Sequence, residues 1–411
     1  MIRRVFAAAA LLGTSAQTLA QPGLPADPQV QLALDEHPMV LAARARVEVA
    51  RADGRALRAG TQEFSLTTSV MQRSVDREGR FTEFDASISR PIRLPGKAAL
   101  DRRAGEFGLI AAENRMEDAK HQAALLLAEL WWDWLGATAE EAVDRQAVDN
   151  LARSLTSVKR RAELRDASPL EVDQAVAAFG SARLQAEQAA GRAALARARL
   201  TSQFPGLVLP QAAQELPLPE LTPTDLPELR NLVIERSHEI GAARAEADRV
   251  QALADRARRD RFADPTIGVR AFSERDGMET GLGLIATIPL GGRHRSAIAD
   301  RASSEAVAVA AEAAAVRFDV QEMADGDLVN ASASWQAWQR SREGAKAQVD
   351  AVLKMRRGYD LGAIDLADLL LAERQTHDMF RAEILARTQA LRAITRIMID
   401  SHSIWIGDDD K

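Results

Sequence analysis

The chain has 411 residues, no cysteine, and a formal charge of −6 from 59 acidic and 53 basic side chains. The acidic balance argues against nucleic acid as a partner. The missing thiols exclude disulfides, thiolate metal sites, a cysteine nucleophile and a lipidated N-terminal cysteine. Aromatic residues are only 4%, so the abundant alanine suits helices packed closely side by side better than a thick α/β core.

Residues 1–20 carry the three parts of a secretory signal. Arg3 and Arg4 give a positive start, Val5 to Leu12 are apolar, and Thr18-Leu19-Ala20 ends in a small residue. Removing them takes away two arginines and no acid, which moves the formal charge from −6 to −8. No later stretch reaches the roughly 18 apolar residues of a transmembrane helix, so a spanning role would have to use strands.

After a lead-in rich in proline and glycine, Leu32 to about Ala59 reads as a helix, with a start signal at Asp35-Glu36-His37-Pro38. The period then changes to two. Phe64, Leu66, Thr68 and Val70 alternate with Ser65, Thr67 and Ser69, and Phe84, Ala86 and Ile88 alternate with Asp85, Ser87 and Ser89. With the polar loop Asp76–Arg80 between them, residues 64–90 form a β-hairpin that has one apolar and one polar face. A proline-free helix follows from Lys97 to about Glu163. Ser168 and Pro169 then supply an N-cap and first helical residue for a return helix from Leu170 to Gln203.

The same order recurs about 200 residues on, beyond a proline-rich connector at 205–227. A helix from about Glu228 to Arg261 leads to a second β-hairpin at 265–289, with Ile267, Val269 and Ala271 facing one way and Leu282, Leu284 and Ala286 alternating with glycine and other residues. A long helix from about Gly292 to Arg357 and a return helix to about Asp400 complete it, with no proline after Pro289. The domains are therefore a signal (1–20), a first repeat (21–204), the connector, and a second repeat (228–411), which ends in an acidic tail. The fold class is mainly α with a small β part, built on duplicated long helical hairpins.

Each strand has about 8 to 10 residues, the length that crosses a bilayer when tilted. Four strands cannot close a membrane barrel, whose smallest forms have eight, and an open edge in lipid strands its backbone polar groups. Closure demands several copies: two give eight strands and a filled interior, three give twelve and a wet lumen. The serine, threonine and aspartate faces favour three. The competing reading is a soluble coiled-coil scaffold with ordinary hairpins.

Pro91-Ile92-Arg93-Leu94-Pro95-Gly96-Lys97, Ile288-Pro289-Leu290-Gly291-Gly292-Arg293, and Tyr359-Asp360-Leu361-Gly362 followed by Asp368 give the chain its resemblance, together with the order of elements. It resembles the TolC-type outer membrane efflux proteins and leans toward the CzcC-like branch that serves heavy-metal exporters. The resemblance implies a homotrimer with a twelve-stranded β-barrel in the outer membrane lipid and a helical tunnel in the periplasm. It also implies a periplasmic adaptor and an inner-membrane pump of the resistance-nodulation-division type. The cargo would be divalent metal cations or, alternatively, drugs and other organic compounds.

By the same resemblance, Asp166, Ala167, Ser168, Gly362 and Ala363 would meet the adaptor, while Tyr359, Asp365 and Asp368 would form the channel aperture. Rings of carboxylates favour cations, although acids at a helix N-terminus are also common for the sake of the helix dipole. Ile364 stands where the family pattern suggests an arginine, which puts an arginine–tyrosine–aspartate closing network in doubt. No catalytic constellation or cofactor motif is present. His37, His121, His238, His294, His377 and His402 show no ligand spacing and read as surface or packing residues. Trp131, Trp132, Trp134, Trp335 and Trp338 read as filling between helices.

Overall fold

The structure, a computed structural model, describes residues 23–220 and 225–406. The segment read as a signal, part of the connector and the acidic tail lie outside them. The elements are α1 (Asp27–Asp35), α2 (Pro38–Ala59), β1 (Ser65–Val75), β2 (Gly79–Pro91), α3 (Lys97–Glu163), α4 (Pro169–Gln203), α5 (Leu226–Glu235), α6 (His238–Arg259), β3 (Thr266–Glu274), β4 (Glu279–Thr287), α7 (Arg293–Asp360) and α8 (Leu366–Asp400). This is the mainly helical fold with four strands expected from the period changes.

Two helices differ from that reading. The helix expected over 32–59 is split, because Pro38 cannot donate into a preceding turn and instead occupies the first position of α2, with His37 as its N-cap accepting from Met39 N at 3.3 Å. The helix expected over 228–261 is likewise two. The Ser237 hydroxyl accepts from Ile240 N at 3.1 Å and starts α6 afresh. The strands β1 and β2 run further toward their turn than alternation suggested. Polar pairs there keep the ladder going, with Arg73 bridging to Glu83 at 2.8 Å.

The chain divides into two compact units, one comprising residues 34–123 and 234–326, the other residues up to 33, 124–233 and 327 onward. The first holds a single antiparallel sheet in the order β1-β2-β3-β4. Its register aligns Leu66 with Ile88, Ile88 with Val269, and Val269 with Leu284. Residues paired across antiparallel strands share a face, so the alternating apolar residues of all four strands merge into one surface. That surface is bare: Leu66 is 72% exposed, Val70 69%, Leu282 78% and Leu284 86%. The other face carries Ser65, Thr67, Ser69, Asp85, Ser87, Ser89 and Arg270, and Arg270 pairs with Asp85.

Where the sheet meets its helices, the Lys97 ammonium is buried (1% exposed). It donates to Asp260 Oδ1 at 2.8 Å, to Asp264 Oδ1 at 2.7 Å and to the Phe262 carbonyl at 2.7 Å. Asp264 also accepts from Leu94 N and Gln62 Nε2, and Arg256 reaches Asp101 at 2.9 Å. Burial works against the Asp264 charge, but Lys97 and the Leu94 amide outweigh it and hold the carboxyl below its ordinary range. Alongside, α2 and α3 approach closely through Gly54 and Gly105: a Cβ on Gly105 would lie 2.9 Å from Gly54 Cα.

The second unit is filled by tryptophans and aliphatics. Trp132 is fully buried and donates to Thr395 Oγ1 at 2.9 Å, Trp338 donates to Glu383 Oε1 at 2.9 Å, and Trp131 and Trp134 meet edge to face at 5.3 Å. Two buried aspartates share one arginine here. Arg396 Nε lies 2.9 Å from Asp327 and 3.4 Å from Asp400. Burial and the facing Asp400 push Asp327 up from 3.8 to about 7.

Replacing Lys97 by Met leaves the largely covered Asp264 without its cation, while Asp260 keeps Arg256. The expected cost is about 3–5 kcal/mol, read as a lowered Tm in circular dichroism melts. The aspartates at Lys97 add a linked effect: their depressed values stabilise the fold above about pH 4, and that contribution is lost as pH falls through the lower folded values. Asp327 has the opposite sign. Between about pH 4 and 7 the folded chain keeps a proton that the unfolded chain releases, so its contribution is complete below that window and is lost as pH rises through it. Asp327→Asn, which cannot ionise, is expected to flatten the decline in stability between about pH 4 and 7 by ~1–2 kcal/mol in melts taken across that range.

Candidate functional site

The residues singled out from the sequence lie at two helix–helix turns within the second unit. Both turns are built alike. At the end of α3, Asp166 N donates to the Arg161 carbonyl at 2.8 Å with Arg165 in the left-handed region (φ 62°). At the end of α7, Ala363 N donates to the Gly358 carbonyl at 2.8 Å with Gly362 at φ 73°. These are Schellman closures, and only the second uses the residue type that adopts this backbone without strain. A Cβ on Gly362 would meet nothing within 4 Å, so conformation and not space is what glycine supplies there.

Each return helix then opens on a cap. The Ser168 hydroxyl accepts from Glu171 N at 3.2 Å, while Glu171 Oε2 accepts from Ser168 N at 2.7 Å, a reciprocal capping box. Asp365 caps α8 by accepting from Asp368 N at 2.9 Å. Asp365 is therefore committed to the helix it begins. Asp368 occupies the place in α8 that Glu171 holds in α4; its side chain is exposed and has no ion-pair partner among the described residues.

Below the turns, Leu155 and Val158 of α3, Ala175 of α4 and Leu366 of α8 form a small core against which Ala167, Phe179, Leu370 and Tyr359 pack. Tyr359 is joined to the first turn by a residue that sequence reasoning did not single out. Arg161 Nη1 donates to the Tyr359 hydroxyl at 2.5 Å, its Nε donates to Asp166 Oδ2 at 2.8 Å, and its guanidinium lies 5.2 Å from the centre of the tyrosine ring. The Asp166 hydrogen bond holds Arg161 further toward the charged form. Burial raises Tyr359 above the ordinary phenol value despite the nearby cation. Ile364 packs over Gly358, where a Cβ would lie 2.6 Å from Ile364 Cδ1, and the arginine that reaches Tyr359 comes from α3. The Asp166–Ser168 turn and Tyr359 are brought together; Gly362, Ala363 and Asp368 remain exposed beside them.

In the sheet-bearing unit, Asp118, His121 and Glu239 also converge, the one such cluster of histidine and carboxylate side chains among the described residues. The sequence offered only the three-residue step from Asp118 to His121 as a sign of it.

Residues 29–203 match the model of the outer membrane efflux protein family. The chain is 27% identical over 332 residues, 76% of each chain, to the cobalt-zinc-cadmium resistance protein CzcC of Cupriavidus metallidurans. In fold it resembles a membrane protein from Pseudomonas aeruginosa (TM-score 0.75, 20% identity, covering 92% of this chain and 94% of the other). It also resembles the CmeC outer membrane channel of Campylobacter jejuni (TM-score 0.74, 17% identity, covering 93% and 87%).

Arg161→Ala deprives both the Tyr359 hydroxyl and Asp166 of their donor. A local loss of about 1–3 kcal/mol is expected, seen as faster amide hydrogen exchange at residues 161–168 and 358–365 with little change elsewhere. Unaltered exchange at both turns would show that the arginine does not hold them.

Proposed function

We propose that three copies of this chain form a passive exit duct across the outer membrane and into the periplasm. The duct carries divalent heavy-metal cations delivered by an inner-membrane pump of the resistance-nodulation-division type through a periplasmic adaptor. The observation that carries this reading is the sheet. Its strands have 9 to 13 residues, long enough to cross a hydrocarbon core when tilted. Its apolar face has no protein cover, and β1 and β4 are free edges. Because β1 and β4 run in opposite directions, β4 of one copy can pair antiparallel with β1 of the next, and three copies make twelve strands with no edge exposed to lipid. The apolar surface then faces lipid and the serine-rich surface lines water.

Metal as cargo is supported by the likeness to a protein named for cobalt, zinc and cadmium resistance. The exposed Asp368, repeated by symmetry, gives a ring of carboxylates that raises the local cation concentration. Asp365, occupied as a cap, contributes less to that ring. The capped turns with Asp166, Ala167, Ser168, Gly362 and Ala363 are the surface offered to the adaptor, and Tyr359 and Arg161 brace the aperture behind it.

The trimer is expected to need detergent to stay in solution and, in planar bilayers, to conduct cations in preference to anions. Asp368→Ala should reduce that preference severalfold, whereas Asp365→Asn, which retains a capping oxygen, should reduce it less. Equal selectivity in wild type and Asp368→Ala would remove this residue from the pore. A deletion strain should become more sensitive to divalent metals than to drugs; the reverse would transfer the cargo to organic compounds.

A further inference from the structure

Asp118 and His121 lie one helical turn apart on α3, so their side chains share a face. Glu239 comes to the same place from the first turn of α6. One ligand atom from each of the three lies within 4.8 Å of the other two, and His121 Nδ1 is 3.9 Å from Glu239 Oε1. His121 is buried (3% exposed), whereas Asp118 and Glu239 are only partly covered. We infer that Asp118, His121 and Glu239 form a binding site for a single divalent first-row transition-metal ion, of which zinc fits best.

The chemistry of the donors supports this. One imidazole and two carboxylates are the mixed nitrogen and oxygen set that zinc accepts, and two carboxylates with a neutral imidazole balance a dication in a poorly solvated place. A nitrogen donor disfavours magnesium and calcium, which take oxygen ligands. Ligands of one zinc ion sit about 2.0–2.2 Å from it, hence no more than about 4.4 Å apart. The observed spacing closes to that by small side-chain rotations.

The carboxylates are also held from behind. Ser237 Oγ donates to Glu239 Oε2 at 2.7 Å, leaving Oε1 toward His121, and Gln122 Nε2 donates to Asp118 Oδ1 at 3.3 Å. Such outer hydrogen bonds orient ligands and tune their affinity. Asp118 also lines an open groove with Arg115, Ala119 and Glu246, which gives an ion a route in. Water completes the coordination. The site stands on these side chains alone and is independent of what the duct exports.

The test uses the full chain in detergent, stripped with chelator and titrated with Co²⁺. One Co²⁺ per chain is expected, with the strong visible absorption of a four- or five-coordinate ion. Zn²⁺ should displace it and Mg²⁺ should not. His121→Asn and Glu239→Gln should each weaken binding by at least about tenfold. If His121→Asn fails to assemble, Glu239→Gln decides, since it keeps a group for Ser237 to bond. An aquo-ion spectrum in the wild type, or unchanged affinity in the variants, would overturn the site. Metal-independent efflux together with a normal Co²⁺ spectrum would leave it standing.

Discussion

An ammonium group cut off from water is the constraint on which the sheet-bearing unit depends. Lys97 stands at the first position of α3, immediately after the turn that ends the first hairpin, while its partners Asp260 and Asp264 lie in the segment that leads from α6 into β3. One side chain thereby ties the exit from β2 to the entrance of β3, and the two hairpins join as neighbours in one sheet. A buried pair of this kind adds little net stability compared with an apolar packing, but breaking it is costly, so it acts chiefly to specify the arrangement. The corresponding basic residue of the second junction, Arg293, is exposed; Arg295 takes up the task locally, donating to the Asp260 carbonyl at 3.2 Å. Similar sequences at the two junctions therefore do unequal work.

Once the hairpins are joined, the chemistry of the sheet follows from register. A slip of one residue between β2 and β3 would exchange the faces of one hairpin against the other and mix serine with leucine on both surfaces. The observed pairing avoids that, with Ile88 opposite Val269 and Ser89 opposite Gly268. A single chain is left with two unpaired edges and one greasy surface. The proposed assembly of copies in lipid would cover both the edges and the apolar surface.

The helical turns show how far a local pattern can be read. The Ser168–Pro169 start of α4 and the need for glycine at position 362 were legible because caps and left-handed residues are decided within a few positions of the chain. In sequence, Asp368 matched the aperture position by resemblance, and Asp365 could as well be an acid serving the helix start. Their backbone partners separate them into a cap and a free carboxylate. Arg161 could not be picked out, since nothing distinguishes it from Arg160 beside it until α3 is packed near α7. Arg160 turns to Glu163 in its own helix, and Arg161 turns to Tyr359. His121 was misleading in the same way: its partner Glu239 is more than a hundred residues distant, and a search for ligands spaced along one helix had no reason to join them.

By itself the amino-acid sequence determined the order of elements, the period of each, the positions of most caps, and the two-faced character of the strands. These arise from hydrogen bonds and side-chain alternation over a few neighbouring residues, which composition and spacing record directly. Proline-marked helix breaks at His37 and cap-marked breaks at Ser237 belong there too, although the alanine-rich periodicity running through both places concealed them. Only the tertiary structure decided which charges are buried, that Lys97 and not Arg293 holds a junction, that Arg161 reaches Tyr359, and that Asp118, His121 and Glu239 share one space. The reason is physical: the strength of a charge–charge contact depends on the distance and solvation of its partners, and folding sets both between segments that are far apart in the chain.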